Sequence, residues 1–151
     1  MEIVQLENTV PEPSREGSVE FDLLEDGMHQ MGLVKISNCD IKNKKTGEVK
    51  PGYRLSFRDK DLANGYVNIS FTASTNEKSN MFKNIKAMTG TIKEGVTREE
   101  IFNAMVGCLG KWFSIMTVQN PVGDKTYINA LSIKPSKEEL PHAVSYFESV
   151  E

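Results

Sequence analysis

The sequence predicts a mainly β domain with a helical insert, its elements running β-β-β-α-α-β-β. Three observations carry this reading. Residues 53–59 and 66–73 alternate apolar and polar side chains, the period of two expected of half-buried strands. Between 79 and 107 the apolar spacing changes to three and four, that of one helix face. From 111 to 133 strand-like segments return on both sides of a tight turn at Pro121-Val-Gly-Asp124.

The elements follow in order. Residues 1–20 place Pro11, Pro13, Ser14, Gly17 and Ser18 among acids and read as a flexible acidic arm. Its apolar piece, Ile3-Val4-Gln5-Leu6, still offers a strand or a docking segment. Phe21, Leu23 and Leu24 mark the entry to the folded domain, 21–136. The first strand is expected over His29–Ile41, with Val34, Ile36 and Ile41 as apolar contributors. A turn-rich connection, Asn43 to Gly52, follows. In the second strand, Tyr53–Asp59, the residues Tyr53, Leu55 and Phe57 share one parity and read as core. Asn64-Gly65 signals a hairpin, and the third strand, Tyr66–Ala73, puts Val67, Ile69, Phe71 and Ala73 on one face.

Ser79 is a suitable N-cap for a helix carrying Met81, Phe82, Ile85 and Met88, and Gly90 is a suitable stop. Thr97-Arg-Glu-Glu100 is a capping box. The helix it opens is lined by Ile101, Phe102, Met105 and Val106, and Gly107 and Gly110 end it. The fourth strand is expected over Lys111–Gln119. The fifth, Lys125–Ile133, is ended by Pro135. Residues 137–151 read as a short acidic C-terminal tail. Three strands, a helical crossing and two strands is the element order of the five-stranded OB-type barrel, which manages its sheet edges by closing.

Composition removes several function classes. The chain has 151 residues, 38% hydrophobic and 26% charged, enough to bury a core without staples. No apolar run approaches the roughly 18 residues of a membrane-spanning helix. The acidic N-terminal stretch lacks the apolar centre of a secretory signal, so a cytoplasmic protein is expected. Cys39 and Cys108 are distant in sequence and read as free, buried thiols; His29 and His142 are equally isolated, so no metal site is expected. The sequence contains no phosphate-binding loop, dinucleotide fingerprint, nucleophile elbow or zinc-protease motif. Gly107-Cys-Leu-Gly110 precedes a strand, the wrong order for a phosphate cradle. Asp59-Lys-Asp61 and Glu99-Glu100 read as turn and capping acids. No catalytic residue and no cofactor are expected.

Charge is segregated. Residues 1–27 hold eight acids and one base, residues 28–136 sixteen bases and nine acids, and residues 137–151 four acids and one base. A basic body between acidic ends suits a polyanion, and acidic tails can compete for the basic surface or recruit proteins. Binding of single-stranded nucleic acid needs cations along the phosphates and flat rings on which bases stack. Lys42, Lys44, Lys45 and Lys50 cluster around the first connection. Arg54 and Arg58 share one face of the second strand, and Tyr66 opens the third on its polar face. Lys111 and Trp112 open the fourth strand, and Lys125 and Tyr127 the fifth. Trp112 suits a core position and a stacking platform equally.

The sequence resembles the small single-stranded-DNA-binding proteins and related OB-like proteins of bacteriophage replication modules. The resemblance covers about residues 22–135 and rests on LLEDGMHQMGLVKI, GYRLSFRD, SFTASTNEKSNMFKNIKAMTG, VGCLGKWFSIMTV and KTYINALSIKP. It implies an OB-like barrel and sequence-tolerant binding of single strands, DNA favoured, in phage or mobile-element replication or recombination. It also implies replication proteins as partners through the acidic tail. A homo-oligomer is compatible with the sequence, and no membrane partner is expected. A non-enzymatic protein-interaction module on the same barrel, an adaptor or inhibitor, is the alternative reading.

Overall fold

The structure, a computed structural model, describes residues 23–62 and 64–150. The acidic arm of residues 1–20 and Phe21 lie outside the described residues. The elements are β1 (Gly27–Lys42), β2 (Val49–Asp59), β3 (Tyr66–Thr72), α1 (Asn80–Thr89), α2 (Arg98–Gly107), β4 (Trp112–Val122), β5 (Lys125–Pro135) and α3 (Ala143–Val150). The fold is mainly β. Its five strands form one antiparallel sheet in the order β3-β2-β1-β4-β5. Two features differ from the sequence reading. The ladders describe an open sheet with β3 and β5 at its edges, where the sequence points to a closed barrel. A third helix also follows β5, so the element order differs from the expected one by its last member.

β1 organises the sheet. It is 16 residues long and pairs with β2 over Met31–Lys42 and with β4 over Gly27–Gly32. A bulge between Leu33 and Lys35 interrupts the β1–β2 register, which explains the imperfect alternation of this segment. One face of the sheet carries Leu33, Leu55, Phe57, Val67, Phe71, Phe113 and Ile115, all buried. Against it α1 and α2 lay Met81, Phe82, Ile85, Ile101, Phe102 and Met105. Phe57 and Phe113 meet edge to face at 5.9 Å across β1. Burying each such side chain stabilises the fold by about 1.5–3 kcal/mol.

The helix ends follow their sequence signals. The Ser79 hydroxyl accepts from the Phe82 N–H at 3.1 Å, and Gly90, at φ +70°, closes α1. Thr97 and Glu100 form the reciprocal capping box of α2. The Asn64-Gly65 turn differs from a two-residue hairpin. The chain from Asp59 to Tyr66 is longer, Asp59 Oδ2 accepts from the N–H groups of Asp61 and Leu62, and Asp59 is buried. The turn role of Asp59 stands, with more burial than the sequence suggests.

A second, smaller cluster lies on the opposite face of the sheet. Trp112, Ala143 and Phe147 form it, with Val34, Leu140 and Tyr146 packed around them. α3 begins where the Ala143 N–H donates to the Gly110 carbonyl at 2.8 Å. Gly110, at φ +87°, turns the chain there, and a β-carbon on it would collide with the His142 ring.

Candidate nucleic-acid interface

The register defines the face opposite α1 and α2. Its rungs across β1, β2 and β3 are Gly32–Arg58–Tyr66, Lys35–Ser56–Asn68, Ser37–Arg54–Ser70 and Cys39–Gly52–Thr72. Paired residues of an antiparallel ladder project to the same side, so Lys35, Arg54, Arg58 and Tyr66 share this surface with a field of hydroxyl and amide groups. None of these twelve positions holds a carboxylate. Ser37 and Ser56 are buried, while Lys35, Arg54, Arg58, Tyr66 and Asn68 are half-buried. The Ser37 and Ser56 hydroxyls and Asn68 Oδ1 are buried atoms without a hydrogen-bond partner.

One end of the face is occupied by α3. The first rung continues from Gly32 to Trp112 on β4. Phe147 lies over it, its ring centroid 4.3 Å from the Arg58 guanidinium carbon, with the Tyr66 centroid 6.0 Å away. Arg58 is thereby held between a ring of α3 and a ring of β3, the arrangement that favours a cation over π faces.

Trp112, which the sequence leaves open between core position and stacking platform, is buried in the structure. The indole is buried beneath α3, in contact with Phe147 at 5.4 Å and edge-on to Tyr146 at 5.1 Å, and its N–H donates to the Pro141 carbonyl at 2.8 Å. The physical reason is the segment after β5, whose helix supplies the apolar partners.

The other predicted residues divide into three groups. Arg54, Arg58 and Tyr66 lie on the common face. Lys42, Lys44 and Lys45 are exposed at the β1–β2 hairpin, where Asn43 Oδ1 accepts from the Lys45 and Thr46 N–H groups. Lys50 lies on β2, which starts four residues earlier than expected, and its amine is 3.2 Å from Glu48. Lys125 and Tyr127 are exposed on β5, three strands from β2, where β4 and β5 run on past the Gly27 end of β1. Lys111 is exposed at the head of β4. The structure does not bring these last three to the Arg54–Tyr66 face.

Sequence reasoning missed two contributors. Lys35 faces Ser56 only because of the bulge, which period-two counting cannot anticipate. Phe147 belongs to Ala143–Val150, where Ala143, Tyr146 and Phe147 recur at helical spacing. That spacing was the available signal, masked by the segment's acidic surroundings.

Titration follows burial. Desolvation pushes the Cys39 thiol up, Asp40 adds to this, and a hydrogen bond with Ser70 opposes it. Burial also pushes up the Cys108 thiol, against Lys111, and the Tyr53 hydroxyl, against Arg98. Cys39 is half-buried, less than the sequence reading has it, and Cys108 is buried. A groove of about 300 Å³ runs beside Tyr53, Met81, Arg98 and Phe102. Among the described residues no three of His, Cys, Asp and Glu converge as a metal-holding group, and no helix is long and apolar enough to cross a membrane.

Compared with known proteins, the chain matches no family model and no curated sequence.

Proposed function

We propose that this chain is a sequence-tolerant single-stranded-DNA-binding accessory protein of phage or mobile-element replication or recombination. The observation that carries the reading is the Lys35–Arg54–Arg58–Tyr66 face, cationic, hydroxyl-rich and without a carboxylate across twelve positions of β1, β2 and β3. The strand order gives further support. An OB barrel reads oligonucleotides with its second and third strands and the flanking hairpins, and it arises from this sheet when β3 and β5 approach. The β1–β2 hairpin lysines extend the cationic track. The test is fluorescence anisotropy with single- and double-stranded oligonucleotides over a salt series. Single-strand binding that weakens steeply with salt is expected; no binding at low salt overturns the reading.

A protein-interaction module is the second reading. It is favoured by the exposed apolar side chains of Val122, Tyr127 and Leu131 on the β4–β5 hairpin, a surface suited to a protein contact.

A further inference from the structure

We infer that the groove between β2 and α2 is a binding site for a small aromatic carboxylic acid, with Arg98 and the Tyr53 hydroxyl holding the carboxylate and Met81, Ile101 and Phe102 receiving the ring. The site is independent of the function proposed above. Tyr53 packs toward the helical layer, its ring 5.6 Å from that of Phe102, and so lies on the side of the sheet opposite Arg54 and Tyr66. Geometry is the first argument. The groove, of about 300 Å³, lies against the start of α2. A second hollow, of about 400 Å³, shares Tyr53, Ala73 and Arg98 with it. Both volumes fall within the range of small-molecule sites.

The second argument is a buried donor beside an exposed cation. Tyr53 is only 9% exposed, and among the described residues its hydroxyl makes no hydrogen bond. A buried hydroxyl in that state costs stability, and an acceptor brought by a ligand removes the cost. Burial pushes the hydroxyl's titration up, and the charge of Arg98 opposes the rise, so the two groups meet at one part of the groove. Arg98 is exposed and forms no ion pair among the described residues. It is also the first residue of α2, at the positive end of the helix dipole. A guanidinium offers donors only, in a planar fork that matches a carboxylate, and the phenol O–H adds one more.

The third argument fixes the charge and the body of the ligand. Glu99 lines the groove and Asp40 the adjoining hollow. One cation flanked by two carboxylates suits a monoanion, whereas a phosphate monoester, with nearly two charges, is repelled. The body of the acid meets Phe102, Ile101 and Met81. Aromatic rings favour tilted or edge contacts with one another, and a thioether favours a ring edge. An aryl carboxylate therefore satisfies both ends of the groove.

Magnetic-resonance titration of the full-length protein tests the site, with phenylacetate as the probe and phenylacetamide as its neutral isostere. Millimolar binding is expected of so small an acid, with backbone N–H shifts at Ser74, Thr75, Arg98 and Glu99. The neutral isostere should bind about tenfold more weakly or less, having no charge for Arg98 to meet. No shift at these residues, or equal binding of acid and isostere, overturns the site. Arg98→Gln, at an exposed position, should erase the preference for the acid, and a preference that survives it overturns the role of Arg98. Tyr53→Phe keeps the ring and the shape of the groove. It should weaken phenylacetate by about tenfold, the usual effect of losing a hydrogen bond to a charged group. Its Tm should stay level or rise, because the hydroxyl it removes is buried and without a hydrogen bond. A lowered Tm with unchanged affinity would show that the hydroxyl serves the fold, and would overturn its place in the site.

Discussion

A β-carbon at Gly32 would fall 2.6 Å from the Ala143 Cβ, so the seating of α3 on the sheet depends on the absence of a side chain at position 32. Phe147 and Trp112 close around the same point, at 3.4 and 3.5 Å. Gly32→Val should therefore lift α3, at a cost of about 1–3 kcal/mol from overpacking. Trp112 is the chain's single tryptophan, so its emission reports the event directly. A red shift together with a lowered Tm is expected. Unchanged emission would mean that α3 does not need the contact.

Trp112→Ala should be costlier. Removing a buried aromatic leaves a cavity worth about 3–5 kcal/mol, and it also leaves the Pro141 carbonyl without its 2.8 Å donor. Trp112→Phe keeps most of the packing and should recover much of the loss. Chemical denaturation of both variants checks the ordering, which a surface-exposed platform would not produce.

The Arg58–Phe147 contact predicts energetic coupling between β2 and α3. The guanidinium carbon stands 4.3 Å from the ring centroid, and a cation–π pair contributes about 0.5–2 kcal/mol according to its exposure. A double-mutant cycle with Arg58→Met and Phe147→Leu should return coupling in that range. Additive effects would show that the two side chains are adjacent without attracting one another.

Much of the fold is legible in the sequence because its determinants are local. Ser79, Thr97, Glu100 and Gly90 act within one helical turn, and Tyr53, Leu55 and Phe57 share a parity that any half-buried strand imposes. Arg54, Arg58 and Tyr66 are legible on one face for the same reason. The environment of Trp112 is not local. Its partners, Pro141, Ala143, Tyr146 and Phe147, come from a segment that packs on the far face of the sheet, and a short apolar stripe among acids does not say where it will dock. Lys35 is hidden by the bulge, which shifts one residue against the alternation.

The α2 capping box gives a pH dependence of known direction. The Thr97 backbone N–H, then its side chain, hold the Glu100 carboxyl below the usual carboxylate range. With the folded-state value depressed, the unfolded chain takes up the proton first. The stabilisation is therefore fully present above the ordinary carboxylate pKa and is lost as pH falls through the folded value. Glu100→Gln should narrow its stability gap from the parent on acidification, as followed by denaturation between neutral and acidic pH. Thr97→Ala removes the cap itself and should cost about 0.5–2 kcal/mol.

The two thiols offer a footprint of the candidate face. Burial raises both, so little thiolate exists at neutral pH, and alkylation should accelerate as pH rises. Cys39 is half-buried on the Gly52–Thr72 rung and should react before Cys108, which is buried and donates to the Ala104 carbonyl. A bound single strand should slow Cys39 and leave Cys108 unchanged in a mass-spectrometric time course. Equal protection of both would point to a global effect.

The dissection of Arg54 and Tyr66 separates electrostatic from stacking contributions on the same surface. Each phosphate contact releases counterions, and its loss should flatten the slope of log affinity against log salt by about 0.7. Arg54→Ala should therefore weaken binding and flatten the slope. Tyr66→Ala should cost about 1–3 kcal/mol per stacked base while the slope stays as it is, because a ring carries no charge to neutralise. Arg58 belongs to both the face and the α3 contact, so Arg58→Ala should flatten the slope and also shift Trp112 emission. Three variants thus give three distinct signatures, read from anisotropy, a salt series and fluorescence. If Arg54→Ala and Tyr66→Ala both bind like the parent while remaining folded, the single strands do not use this face. The exposed apolar side chains of the β4–β5 hairpin, and with them a protein partner, then become the better account of the chain.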